Sequence, residues 1–104
     1  MISVRRLTVD DLPRLRLVWK ENWGDEFVVA HGVIYYPDIL DGFIALDGEE
    51  WIGEITHTFS ANDCEIVSLD SSRERQGAGT MLINKVVEEA RKRLQAYLPH
   101  HNER

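Results

Sequence analysis

A strand, a glycine turn and a long amphipathic helix follow one another without a break in this chain, and that run restricts the fold more than any other feature. It begins Cys64-Glu65-Ile66-Val67-Ser68-Leu69-Asp70, turns through residues 71–80, and continues as a helix from Met81 to about Leu98. The turn contains Gly77-Ala78-Gly79, and glycines allow a strand to bend sharply into a helix. Such a bend gathers backbone N–H groups at the positive end of the helix dipole, a geometry suited to phosphate or pyrophosphate. Along the helix, Ile83, Val86, Val87, Ala90, Leu94 and Tyr97 read as the buried face. Lys85, Glu88, Glu89, Lys92 and Arg93 read as the solvent face, with Glu88–Lys92 and Glu89–Arg93 spaced as i,i+4 ion pairs. Pro99 ends the helix at the latest.

Upstream of this run the sequence predicts a first strand over residues 2–7 and then a helix capped by Thr8 or Asp10. In that helix Leu12, Leu15, Val18 and Trp19 share one face, and Asn22-Trp23-Gly24-Asp25 closes it. Residues 26–40 are the least legible part and read as a short helix or strand with a loop. Gly42–Leu46 and Trp51–Phe59 read as strands joined by a hairpin turn at Asp47-Gly48-Glu49-Glu50. Ser60-Ala61-Asn62-Asp63 turns the chain again into the strand before the glycines. Connections this short cannot hold a crossover helix, so these three strands form an antiparallel meander.

A chain of 104 residues is expected to form one domain over residues 1–104. Its net charge of −6 argues against sequence-independent nucleic-acid binding, which needs clustered Lys and Arg. Six of the 12 basic residues lie between Arg73 and Arg93, and these read as a solvated helix face or as the surroundings of a phosphate-bearing ligand. No apolar run approaches the ~20 residues that span a membrane, and no secretory leader is visible at the N-terminus. Cys64 is the single cysteine, read as a packing residue, so no disulfide forms within the chain and a cytoplasmic location is expected.

Two known phosphate loops do not fit this turn. A Walker A loop requires a Lys directly after its last glycine, where this chain has Thr80. A dinucleotide fingerprint requires a small residue three positions after Gly79, where this chain has Leu82. A turn in which the glycines serve the fold alone stays open. The segment resembles motif A of the GNAT acyl-CoA N-acyltransferase superfamily, in which a Q/R-x-x-G-x-G/A loop cradles the pyrophosphate of acetyl-CoA. Gly77-Ala78-Gly79 supplies the G-x-G. Glu74 stands where that family usually carries Gln or Arg, with Arg73 and Arg75 beside it. The order of elements over roughly residues 2–92 is similar to the same superfamily.

The resemblance implies an α+β fold of three-layer type, with a mixed, mostly antiparallel sheet flanked by helices. The last strand–helix–strand part of a full GNAT domain is not expected, and residues 93–98 read as continued helix in preference to a further strand. It implies acetyl-CoA as co-substrate, no metal, and a small-molecule or peptide amine as acceptor. It implies that backbone groups of Val67, Ser68 and Leu69 lie along the pantetheine arm and polarise the thioester carbonyl, while Arg75, Gln76, Gly77, Ala78, Gly79 and Thr80 hold the pyrophosphate. Glu65 is its candidate base on that strand and His57 the alternative. Trp19, Trp23, Tyr35 and Tyr36 read as core residues before pocket residues. An uncovered sheet edge predicts a homodimer or another covering partner. A catalytically idle module that senses acyl-CoA or binds a protein is the second expectation.

Overall fold

A computed structural model describes residues 1–60, 63–72 and 77–97, and the side chains of these through Leu94. Four strands form one sheet in the order β1-β4-β5-β6, where β1 is Ile2–Arg6, β4 Asp41–Asp47, β5 Glu50–Ser60 and β6 Asp63–Ser71. Every pairing in it is antiparallel, so the mixed sheet expected from the resemblance is not found among the described residues. Helix α1 (Leu12–Trp23) covers one face and helix α2 (Ala78–Tyr97) the other. The fold is therefore α+β, with two cores separated by the sheet.

Local chemistry accounts for the elements. Ahead of α1, the Thr8 N–H donates to Asp11 Oδ2 at 2.7 Å and the Asp11 N–H donates back to the Thr8 carbonyl at 3.0 Å, a reciprocal cap. Arg5 then grips both Asp11 oxygens at 2.8 Å, tying β1 to the helix start and holding the Asp11 carboxyl down at about 2. Gly24, at φ +86°, donates to the Lys20 carbonyl and ends α1. The core on this side is built from Leu15, Trp19, Leu40 and Val67.

The segment 26–40 proves to be a second, two-stranded sheet, β2 (Val28–Ala30) and β3 (Val33–Tyr35). His31 and Gly32 turn it with φ values of +52° and +78°, the sign that a type I′ hairpin turn needs at both positions. A short 3-10 turn at Pro37–Ile39 leads on to β4, and Arg16 of α1 pairs with Asp38 there at 2.7 Å.

On the other face, α2 buries Ala78, Leu82 and Val86 against Phe43, Ala45, Ile52 and Ile55. Gly53 of β5 permits this contact. A Cβ there would lie 2.8 Å from the Asp70 carbonyl oxygen and 3.3 Å from Leu82 Cδ1. The buried stripe therefore differs from the expected one. Val86 is buried, but Ile83, Val87 and Leu94 are exposed on the outer side of the helix. The expected Glu89–Arg93 pair is replaced as well. Glu89 accepts from Arg6 of β1 at 2.8 Å, and Arg93 lies 4.0 Å above the Phe59 ring. Residues 93–97 continue the helix, as expected.

Candidate functional site

Strand β6 pairs with β5 along one edge, and among the described residues no strand pairs with its other edge. Its register slips once. Thr56 faces Ser68 and His57 faces Ile66, so Val67 is an extra residue bulged out of the ladder. A bulge leaves backbone groups unpaired and re-aims the strand beside it. The bulge falls on two of the backbone positions, Val67 and Ser68, that the resemblance implies for the acyl-CoA arm. The third, Leu69, is partly exposed and pairs with Ile55 on the α2 side.

Beyond β6, Ser72 is anchored through its N–H and its hydroxyl to the Ile52 carbonyl, at 2.8 and 3.1 Å. Arg75 and Gln76, expected to hold pyrophosphate, lie outside the described residues, as does Glu74. The turn re-enters at Gly77, whose φ of +81° requires glycine. Met81 N–H donates to the Gly77 carbonyl at 3.0 Å, so α2 starts here, with Ala78, Gly79 and Thr80 forming its first turn. Ala78 is buried in the core, whereas no atom of the described residues lies within 4 Å of where a Gly79 Cβ would stand. No contact among the described residues calls for glycine at 79, and glycine in a helix costs about 1 kcal/mol against alanine. What it leaves is open space beside the first N–H groups of the helix.

The two candidate bases do not come together. Glu65 sits on the α1 side, opposite Thr58. Each of its oxygens lies against the β2–β3 hairpin, Oε1 accepting from the Tyr35 hydroxyl at 3.3 Å and Oε2 lying 3.0 Å from His31 Nε2. His57 faces α2 and is fully buried, stacked on Phe43 at 5.9 Å and set edge-on to Phe59 at 5.2 Å. Neither ring nitrogen has a hydrogen-bond partner, and burial pushes the imidazole pKa down. We read His57 as a core residue. Of the aromatic residues, Trp19 belongs to the core, while Trp23 and Tyr36 are about half exposed. Cys64 packs against the α2 core and burial raises its thiol pKa, in keeping with a packing role.

Sequence reasoning missed the most perturbed carboxyl on this face. Glu54 of β5 is fully buried beneath α1. Ser68 Oγ donates to its Oε1 at 2.9 Å, and Ser68 Oγ in turn meets Thr56 Oγ1. Glu54 Oε2 has no hydrogen-bond partner among the described residues. The Trp19 indole leans toward the carboxyl, although its N–H makes no formed hydrogen bond. Burial pushes the Glu54 pKa up to about 7, against the Ser68 hydrogen bond, and Asp70 directly across the ladder pushes the same way as burial. Glu54 thus titrates in the range where a general base works.

No helix among the described residues is long and apolar enough to cross a membrane. No family model matches the chain, and no solved structure matches it. It is similar to two uncharacterized proteins of Bacillus subtilis (strain 168). It is 43% identical to YdhI over 72 residues, which is 68% of this chain and 45% of that protein. It is 41% identical to YxbD over 76 residues, which is 72% of this chain and 48% of that protein. The chain spans about half the length of the curated relatives it matches.

Proposed function

We propose that this chain is an acyl-CoA-binding domain of GNAT type that transfers an acetyl group from acetyl-CoA to an amine. The observation that carries the reading is the start of α2. Gly77 is fixed by its positive φ, but among the described residues nothing fills the space where a Gly79 side chain would be. A ligand approaching the helix N-terminus explains it, since backbone N–H groups there bind anions only when nothing shields them. The bulge at Val67 adds to this, because it frees backbone groups on the strand that feeds the same turn. Pyrophosphate at the turn and the pantetheine arm along the open edge of β6 would bring the thioester beside Ser68 and Leu69. A strand N–H there would polarise its carbonyl. The acceptor is an amine, small or peptidic, and the location cytoplasmic.

Thermal shift with acetyl-CoA, CoA and ATP tests the reading. A ligand that binds only the native state at 100 times its Kd adds about 2.7 kcal/mol, which for a domain this size moves Tm by on the order of 10 °C. Acetyl-CoA and CoA are expected to do so, and ATP is not. Gly79→Leu is the decisive variant. Its side chain meets nothing in the fold, so the protein should stay folded while the shift disappears. A shift that survives Gly79→Leu, or none in the unaltered protein, sinks the proposal.

The second reading, a ligand-sensing module without turnover, draws on Glu65, whose Oε1 already accepts from the Tyr35 hydroxyl of the hairpin. A shift with acetyl-CoA and no release of CoA from any amine would favour it.

We also propose that a second copy of the chain covers the part of the open β6 edge that the acyl-CoA arm leaves free, together with the apolar surface beside it. Ile66 and Leu69 lie on the α2 side of that strand, 42% and 39% exposed, and α2 presents Ile83, Val87 and Leu94 outward. An unpaired edge bordered by apolar side chains is a pairing site. Light scattering after size exclusion should give twice the chain's 12.0 kDa, and a monomer at high concentration would refute the dimer.

A further inference from the structure

Three neighbouring groups on the α1 face form one connected chain: the Glu54 carboxyl, the Ser68 hydroxyl and the Thr56 hydroxyl. All three residues are buried. A hydroxyl has one proton to give. With Glu54 ionised, Ser68 donates to Glu54, so Thr56 must donate to Ser68. With Glu54 protonated, the same chain reverses, Glu54 donating to Ser68 and Ser68 to Thr56. The chain therefore has two complete hydrogen-bonding states that differ by one proton on Glu54. The second carboxyl oxygen, Oε2, is left without a partner in a site that admits no solvent to it. A buried, half-satisfied carboxyl costs free energy.

The placement of this chain gives it a use. Ser68 adjoins the bulged Val67 on the open edge strand. Glu65, the base suggested by the sequence, sits further along β6 and already holds the hairpin through Tyr35 and His31. Around Glu54, β6 presents Ser68 and the carboxyl of Asp70, β4 presents the apolar Ile44, and α1 presents Trp19. Asp70 is the one charged group, among the described residues, that bears on Glu54, and its sign favours proton uptake by Glu54.

We propose that Glu54, acting through the Ser68 hydroxyl, receives the proton that the acceptor amine must lose before it attacks the thioester. This rests on the acyltransfer reading above. The step balances. The ammonium N–H bond breaks and its proton goes to Ser68 Oγ, while the Ser68 proton passes to Glu54 Oε1. The products are a neutral amine with a free electron pair, an unchanged Ser68 and a neutral Glu54 carboxylic acid. Ser68, 5% exposed beside the bulge, is the group that takes up the proton, and Glu54 is the positioning residue and proton store behind it.

The test compares Glu54→Gln, Ser68→Ala and Glu65→Gln with the unaltered protein. Acetyl-CoA is the donor, and a polyamine, an aminoglycoside and a lysine-containing peptide are the acceptors. Binding is read by thermal shift and turnover by release of CoA over pH 5 to 9. Loss of a general base typically costs 10²–10⁴-fold in rate, so kcat for Glu54→Gln should fall by about 100-fold or more. The acid limb of its pH profile should vanish while the acetyl-CoA shift is retained. Ser68→Ala should lower kcat and displace the limb. Glu65→Gln should keep the limb. As a readout independent of turnover, the carboxyl carbon resonance assigned to Glu54 should titrate near neutrality and move in Ser68→Ala. Turnover with an acid limb unchanged in Glu54→Gln, a limb lost in Glu65→Gln alone, or a Glu54 resonance titrating with ordinary carboxylates overturns the proposal by itself. Absence of any acetyl-CoA shift, or of CoA release from every amine, overturns it together with the acyltransfer reading.

Discussion

Trp19→Ala should destabilise the domain by about 3–5 kcal/mol, the range found for removing a large aromatic side chain from a packed core. Trp19 is fully buried and is the largest side chain in the core between α1 and the sheet, where it meets Leu15, Leu40 and Val67. Its ring also stands edge-on to Trp23 at 6.3 Å. Domains of this size are stable by about 5–15 kcal/mol, so the loss would consume about a fifth or more of the total. The lost packing is only part of the effect. Trp19 leans toward the Glu54 carboxyl, and its removal admits water to that group. The Glu54 pKa should then fall back toward the usual carboxylate range. Trp23→Ala provides the comparison. Trp23 is about half exposed at the end of α1 and should cost less than about 1 kcal/mol. Urea unfolding of both variants separates them, and a Trp19→Ala loss near that of Trp23→Ala would show that α1 does not cover this core.

The parts of the fold legible in the sequence are those set by local chemistry. The meander β4-β5-β6 follows from short turns between alternating runs, and α1 from its apolar spacing and the glycine behind it. The hairpin β2–β3 escaped because its turn carries His31 at positive φ, where Asn or Asp gives the usual signal. The buried stripe of α2 escaped for a different reason. Ala78, Leu82 and Val86 form one apolar row, and Ile83, Val87 and Leu94 form another beside it. Periodicity detects both rows but cannot say which one meets a sheet. Leu82, set aside in the sequence as the residue that breaks a dinucleotide motif, is the one that Gly53 makes room for. Glu54 was missed by the same logic. In a sheet with one solvated face, Glu54 and Thr56 alternate with Ile55 as polar residues should, outward into water. Here α1 covers that face as well, so the alternation that marks a solvent-facing position instead buries a carboxyl and a hydroxyl.

Burial of Glu54 has a measurable cost, and Glu54→Gln should remove it. The carboxyl is raised from 4.5 to about 7 in the folded protein, so between those values the native state holds a proton that the unfolded chain has released. Its contribution to stability is therefore fully present below about 4.5 and is lost as pH rises through 7. A shift of that size corresponds to about 3 kcal/mol, as an order of magnitude. His57 acts in the opposite direction. Its pKa is lowered by burial, so below the ordinary 6.5 the unfolded chain takes up a proton that the native core refuses, and stability falls with falling pH. In the unaltered protein these two slopes offset each other between about pH 5 and 7. In Glu54→Gln only the His57 slope is left. Urea unfolding should therefore find Glu54→Gln more stable than the unaltered protein at pH 8, by up to about 3 kcal/mol, with that advantage gone at pH 5. An equal change at both pH values would mean that Glu54 binds its proton alike in the folded and the unfolded chain, so that burial does not raise its pKa. If the advantage at pH 8 is found, the residue that weakens the folded domain most when charged is also the one joined by hydroxyls to the bulged edge of β6. Stability cannot then account for the carboxyl at this position, and a proton carried to and from the open strand can.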